Sequence, residues 1–142
     1  MKNKLESAIL IAIKAHQNQI DKGGSPYILH PLRIMIKMQT DEEMIVALLH
    51  DVMEDSKISL KDISKYEFNK KIMSALKDLT YSTDINYEDY IKKISKNKLA
   101  RKIKLADLTD NMNLNRLPSL NKKDFERINK YHKALKYLLE ND

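Results

Sequence analysis

The chain has 142 residues, of which 42% are hydrophobic and 32% charged, and it carries a net charge of +6. That fits one compact domain with a real core, while the absence of Cys excludes disulfides and thiolate chemistry and two Gly with three Pro argue against a turn-rich β fold. No apolar run approaches the roughly 20 residues that cross a bilayer, and Lys and Arg occur in blocks no longer than two, which favours a solvated Lys-rich surface over a nucleic-acid face.

The N-terminal segment begins like a signal peptide, but Glu6 and Lys14 fall on the polar side of a helical pattern and no small-residue cleavage site follows. Apolar positions at Leu5, Ala8, Ile9, Ala12, Ile13 and His16 predict an amphipathic helix over 3–17. Both glycines and two of the prolines sit in DKGGSPYILHP, residues 21–31, which reads as a loop. Pro31 suits the first turn of a helix over about 31–39. Asp41 reads as the N-cap of a helix running through ALLHD. Ser59 with Asp62 resembles a capping box for a short helix over about 60–66, and Asn69 starts another that ends near Leu79. Helices over about 87–96 and 98–114 follow. Pro118 breaks the chain before a long terminal helix whose inner face is read as Phe125, Ile128, Tyr131, Leu135, Leu138 and Leu139. No stretch shows sustained period-two alternation. The expected architecture is all-α, a compact multi-helix bundle forming a single domain over 1–142, in the cytoplasm.

The chemistry concentrates in ALLHDVMEDS, residues 47–56, where an apolar run ends in His50, Asp51, Glu54 and Asp55. Ionisable groups at a core edge are costly unless they are paired or coordinate something. On a helix, His50 with Glu54 and Asp51 with Asp55 form two adjacent i,i+4 pairs. A histidine satisfied by a neighbouring carboxylate is the plainer explanation of this stretch alone. But His30 stands in the Gly/Pro loop just before Pro31, and Asp107 ends the apolar pattern of KIKLADLTDN, with Asn111 four residues on. Two imidazoles and two carboxylates, His30, His50, Asp51 and Asp107, suit Mn²⁺, Fe²⁺ or Zn²⁺ and suit Ca²⁺ or Mg²⁺ poorly. His16 reads as a core residue, His132 as surface, and Tyr131 as inner-face packing.

The order H…HD…D resembles the HD metal-dependent phosphohydrolases. More closely, AHQNQIDKGGSPYILHPLRI, ALLHDVMEDSKISLKDI and KIKLADLTDNMNLNRL resemble the hydrolase domain of the RelA/SpoT enzymes and the small stand-alone alarmone hydrolases, over about residues 8–139. The resemblance implies an HD-domain fold and Mn²⁺-dependent removal of the 3′-diphosphate of ppGpp. It makes His30, His50, Asp51 and Asp107 the metal ligands, and Glu54 and Asp55 the pair that orients or deprotonates the attacking water. It places Asn111 near the ribose, Lys22 on the substrate side of the loop, and Pro26 and Tyr27 as shaping residues. Phosphoryl charge needs cations, for which Lys22, Arg101, Lys102 and Lys104 stand near the motifs.

Two positions depart from the family pattern. Asp21 stands where the alarmone hydrolases usually carry Arg, and Leu108 follows Asp107 where they carry a basic residue. A second reading is therefore a phosphatase for another nucleotide, such as the 2′-phosphate of NADPH or a nucleoside mono- or triphosphate. A third is a nucleotide-binding module without catalysis. A small-molecule nucleotide is the expected partner, with no nucleic acid and no membrane, and a homo-oligomer stays open. With no synthetase-like region in view, the expectation is degradation of an alarmone without its synthesis.

Overall fold

The computed structural model describes residues 3–141. In chain order its elements are α1 (Lys4–His16), α2 (Leu29–Ile36), α3 (Asp41–Leu49), α4 (Val52–Asp55), α5 (Leu60–Ser64), α6 (Lys70–Leu79), α7 (Tyr87–Ser95), α8 (Lys98–Asn111), a 3₁₀ turn (Leu114–Arg116) and α9 (Lys122–Glu140). Among the described residues there is no strand beyond one isolated bridge between Ile20 and Pro26, so the all-α expectation holds. No helix among them is long and apolar enough to cross a membrane.

Helix starts follow side-chain chemistry. Asn3, Asn69, Asn86 and Asn97 each accept a backbone N–H of the first turn that would otherwise lack a partner. Thr40 with Glu43, Ser59 with Asp62 and Asn121 with Asp124 form reciprocal capping boxes. The cap of α3 is thus Thr40, one residue before the expected Asp41, because Glu43 can reach back to the Thr40 N–H. α2 begins two residues earlier than expected, and Pro31 sits within its first turn, where no intrahelical donor is needed.

α3 is the central helix. Ile45, Val46, Ala47, Leu48 and Leu49 are all buried, and α3 packs on α1, α2, α6 and α8. A helix apolar on every side is stable only when it is surrounded. Ile34, Leu76, Ile103, Leu108 and Leu138 bring the neighbouring helices into the same core. α3 and α8 are therefore fixed along their lengths, and their C-terminal ends emerge together.

Two expectations are corrected here. The helix through ALLHDVMED is not continuous: α3 ends at Leu49 with His50 as its C-cap, Asp51 has φ −104° and ψ −1°, and α4 resumes at Val52. On α9, Phe125 and Leu139 do not face the core but are 57% and 56% exposed. α9 packs along the edge formed by α7 and α8, so its buried stripe is narrow, with Ala134 and Leu138 inside and Tyr131 and Leu135 half-buried.

Candidate metal centre

Three segments deliver the four expected ligands to one point. His30 lies in the first turn of α2, His50 and Asp51 at the junction of α3 and α4, and Asp107 in the last turns of α8. His30, His50 and Asp107 are buried. One donor atom from each of the four lies within 4.8 Å of the others. His30 Nε2 is 2.9 Å from Asp107 Oδ1 and 3.6 Å from Asp51 Oδ2, and His50 Nε2 is 3.0 Å from Asp51 Oδ2 and 3.3 Å from Asp107 Oδ1.

The surroundings fix which ring nitrogens face this point. His50 Nδ1 lies 2.6 Å from the Ala47 carbonyl, which can only accept, so Nδ1 carries the hydrogen. His30 Nδ1 lies 2.6 Å from Asp110 Oδ2, an acceptor that holds a hydrogen on Nδ1 and turns Nε2 toward the same point. Both Nε2 atoms then face two carboxylates. Two carboxylates gathered on two buried rings need positive charge among them, as protons on the rings or as a cation. The electrostatics say the same. Burial would lower both histidines, but Asp107 and Asp51 around His50, and Asp107 and Asp110 around His30, overcome it and hold both above their ordinary value. Burial would raise Asp107, but Lys104 and His50 hold it well below the usual carboxylate range. A divalent cation fits this donor set in chemistry and in charge.

Other side chains hold these ligands. The Tyr27 hydroxyl donates to Asp51 Oδ2 at 2.5 Å, and burial with the Asp51 charge raises that phenol. Asn111 Nδ2 donates to Asp107 Oδ1 at 3.0 Å. Lys104 Nζ is 2.9 Å from Asp107 Oδ2 and 5.3 Å from the centre of the Tyr90 ring. Lys104, expected on the substrate, is turned inward onto a candidate ligand, and Asn111 likewise contacts Asp107. Sequence reasoning passed over Asp110. Its carboxylate takes the His30 ring, two N–H groups of Arg33 at 2.9 Å, and Arg116 at 3.5 Å. His30 and Arg33 hold it well below the ordinary carboxylate range despite burial. Its one sequence signal is the i,i+3 spacing from Asp107 on α8.

Glu54 and Asp55 stand at the exposed rim, on α4. Loss of hydration raises both carboxyls, and the charge of Asp51 adds to it. Glu54 Oε1 accepts the Tyr81 N–H. The Asp55 backbone carbonyl accepts from Gln19 Nε2 at 2.7 Å, and Gln19 Oε1 is 2.9 Å from Nδ1 of the buried His16.

Beside the centre opens a cleft of about 270 Å³ whose lining includes Lys22, Arg33, Asn111, Arg116, Arg127 and Tyr131. The loop that brings Lys22 there is closely built. Asp21 Oδ1 accepts the Gly23 and Ser25 N–H groups at 2.9 Å. A Cβ on Gly23 would stand 2.7 Å from the Arg116 carbonyl oxygen, so only glycine permits that approach. Asp21 thus closes the loop on itself. Of the other cations considered from sequence, Lys102 pairs with Glu43 at 2.7 Å on a different face, where Arg101 also lies.

Comparison with known proteins agrees with this geometry. The model of the HD domain matches residues 8–139. The bifunctional (p)ppGpp synthase/hydrolase SpoT of Escherichia coli K12 is 32% identical over 126 residues, covering 77% of this chain and 18% of that protein. A guanosine-3′,5′-bis(diphosphate) 3′-pyrophosphohydrolase of Borreliella burgdorferi is 36% identical over 83 residues, covering 56% of this chain and 12% of that protein. The chain spans less than a fifth of the length of these relatives. Among solved structures, a metazoan ortholog of SpoT that hydrolyzes ppGpp superposes with a TM-score of 0.77 at 24% identity, over 99% of this chain and 86% of that one, and so shares the fold. With the family model matched along almost its whole length and the histidines and aspartates of the motif gathered at one point, the chain belongs to the HD-domain family.

Proposed function

We propose that this protein is a Mn²⁺-dependent (p)ppGpp 3′-pyrophosphohydrolase, with His30, His50, Asp51 and Asp107 as metal ligands. The observation that carries the reading is the convergence of four metal-type donors at the end of a cationic cleft. The names of the relatives in the sequence comparison supply the substrate. Fe²⁺ and Zn²⁺ suit the same donors.

When bound, the cation polarises a phosphoryl oxygen and acidifies a water molecule. The chain's own residues do the rest. The oxygen of water joins the phosphorus bonded to O3′, the P–O3′ bond breaks, and a proton passes to O3′, giving GDP and pyrophosphate. Glu54, with Asp55 beside it, is the carboxylate that orients that water and takes its proton. Tyr27, Asn111 and Lys104 keep Asp51 and Asp107 pointed at the centre. Lys22 and the arginines of the cleft offset the phosphate charge, with Asn111 near the ribose.

Incubation with Mn²⁺ and ppGpp, with products resolved by anion exchange, tests the proposal. GDP and pyrophosphate are expected in equal amounts. Orthophosphate from another nucleotide, with ppGpp untouched, would move the assignment to a different phosphohydrolase. The closure of Asp21 within its own loop makes that comparison worth running.

Asp110 gives a prediction separate from turnover. Asp110→Ala removes the group that orients His30 and also releases Arg33 and Arg116. Partners of ligating histidines are worth about 10- to 100-fold in metal affinity. Calorimetric titration with Mn²⁺ is expected to show a loss of that size, and unchanged affinity would remove Asp110 from the support of the centre.

A further inference from the structure

The C-terminal ends of α3 and α8 carry the centre, and their N-terminal ends meet on another face. A groove of about 1020 Å³ lies there, lined by the first turns of α3, α6 and α8 and by the end of α9. It shares no lining residue with the cleft beside the centre. The half-buried Leu99 and Leu105 and the exposed Leu139 give it an apolar floor over the buried Leu138, and Lys70, Lys71 and Lys98 stand on its rim.

Those lysines are placed against the local electrostatics. The positive end of a helix dipole favours acidic side chains in the first turn. α1, α3, α5, α7 and α9 follow this rule, with Glu6, Glu43, Asp62, Asp89 and Asp124 among the residues there. α6 and α8 have no acidic first-turn residue and open with Lys70–Lys71 and with Lys98. Among the described residues none of these three lysines is paired with a carboxylate, whereas Lys102 nearby is held by Glu43. The surface thus combines an apolar trough with an excess of positive charge, since of its carboxylates Glu43 is taken up by Lys102 and Glu42 alone stands against the three lysines.

We propose that this groove docks an acidic amphipathic helix of a partner protein, its apolar stripe on Leu99, Leu105 and Leu139 and its carboxylates against Lys70, Lys71 and Lys98. A concave trough suits a helix and does not suit a flat bilayer. A second copy of this chain brings a net charge of +6 to a positive surface, which opposes self-association there. The docked helix rests on α6, α8 and α9. Lys98 is nine residues from Asp107 on one helix, about 14 Å at 1.5 Å per residue, so the partner sits on the helix that carries Asp107 and leaves the cleft open.

The test is fluorescence anisotropy of a labelled Leu/Glu amphipathic peptide of about 18 residues, titrated with the full chain at about 50 and 150 mM salt. Saturable binding is expected, weakened at least about ten-fold, roughly 1.4 kcal/mol, by K70E/K71E/K98E and independently by L139E. K122E/K136E, on the outer face of α9, is expected to leave it unchanged. Thermal melts check that each variant is folded. The proposal is overturned by no saturation up to about 200 μM, or by equal binding of a scrambled peptide without the apolar stripe. Equal weakening by K122E/K136E, a concentration-dependent dimer abolished by L139E, or binding to anionic vesicles lost in K70E/K71E/K98E would each overturn it too.

Discussion

Asp107→Asn is expected to lower turnover of ppGpp by more than about 1,000-fold, to lower Mn²⁺ affinity by more than about 100-fold, and to destabilise the metal-free protein. The reason is the density of charge gathered on one carboxylate. Asp107 is 3% exposed, and its two oxygens meet His30, His50, Asn111 and Lys104. Removing one member of a buried pair leaves the other charge without compensation, which costs about 3–5 kcal/mol. Asn preserves the volume and a carbonyl acceptor for Lys104, so the lower end of that range is expected. Asp107→Ala, which also leaves a void, is expected at the upper end. Denaturant midpoints of the two metal-free variants measure the stability effect, and titration calorimetry measures the metal. If Asp107→Asn unfolds with the wild type and still binds Mn²⁺ normally, Asp107 is neither a ligand nor the partner that keeps Lys104 buried.

The residues of the centre were legible because they violate the pattern around them. His50 and Asp51 end one of the two longest apolar runs of the chain, and Asp107 ends the apolar pattern of KIKLAD. Ionisable groups in those places need a local reason. The helix starts at Ser59 and Asn69 were legible because a cap is a contact over three residues. What stayed hidden depends on contacts distant in sequence. Asp110 looks like an ordinary acid on a polar helix face until α2 brings His30 and Arg33 against it. Lys104 looks like a surface cation until α7 places Tyr90 beside it. The break at His50–Asp51 has no Gly or Pro to announce it. It coincides with two bonds, His50 to the Ala47 carbonyl and Asp51 to Tyr27, the second across 24 positions of sequence. The outward positions of Phe125 and Leu139 follow from how narrowly α9 is covered, which its own periodicity does not record.

The second large effect separates proton transfer from metal binding. Glu54→Gln is expected to lower kcat by about 100- to 10,000-fold while leaving Mn²⁺ affinity within about three-fold. Glu54 is not among the four gathered donors. It stands at the rim on α4, where Oε1 accepts the Tyr81 N–H. Gln keeps that acceptor and the length of the side chain, so the loop after α6 stays in place and the lost quantity is the basic oxygen. Loss of hydration at the rim, helped by the charges of Asp51 and Asp55 and opposed by the Tyr81 N–H and Lys104, raises this carboxyl. A raised carboxyl is a stronger base than an ordinary glutamate, as a proton acceptor beside a phosphoryl group needs to be. Asp55→Asn is expected to cost less, because Asp55 stands beside the proton acceptor and does not itself take the proton, while its backbone contact to Gln19 is kept. Single-turnover rates at saturating Mn²⁺ read the chemical step directly. A Glu54→Gln protein that turns over normally would pass the role of base to Asp55. One that loses Mn²⁺ more than about ten-fold would make Glu54 a support of the ligands, and the water would need another carboxylate to take its proton.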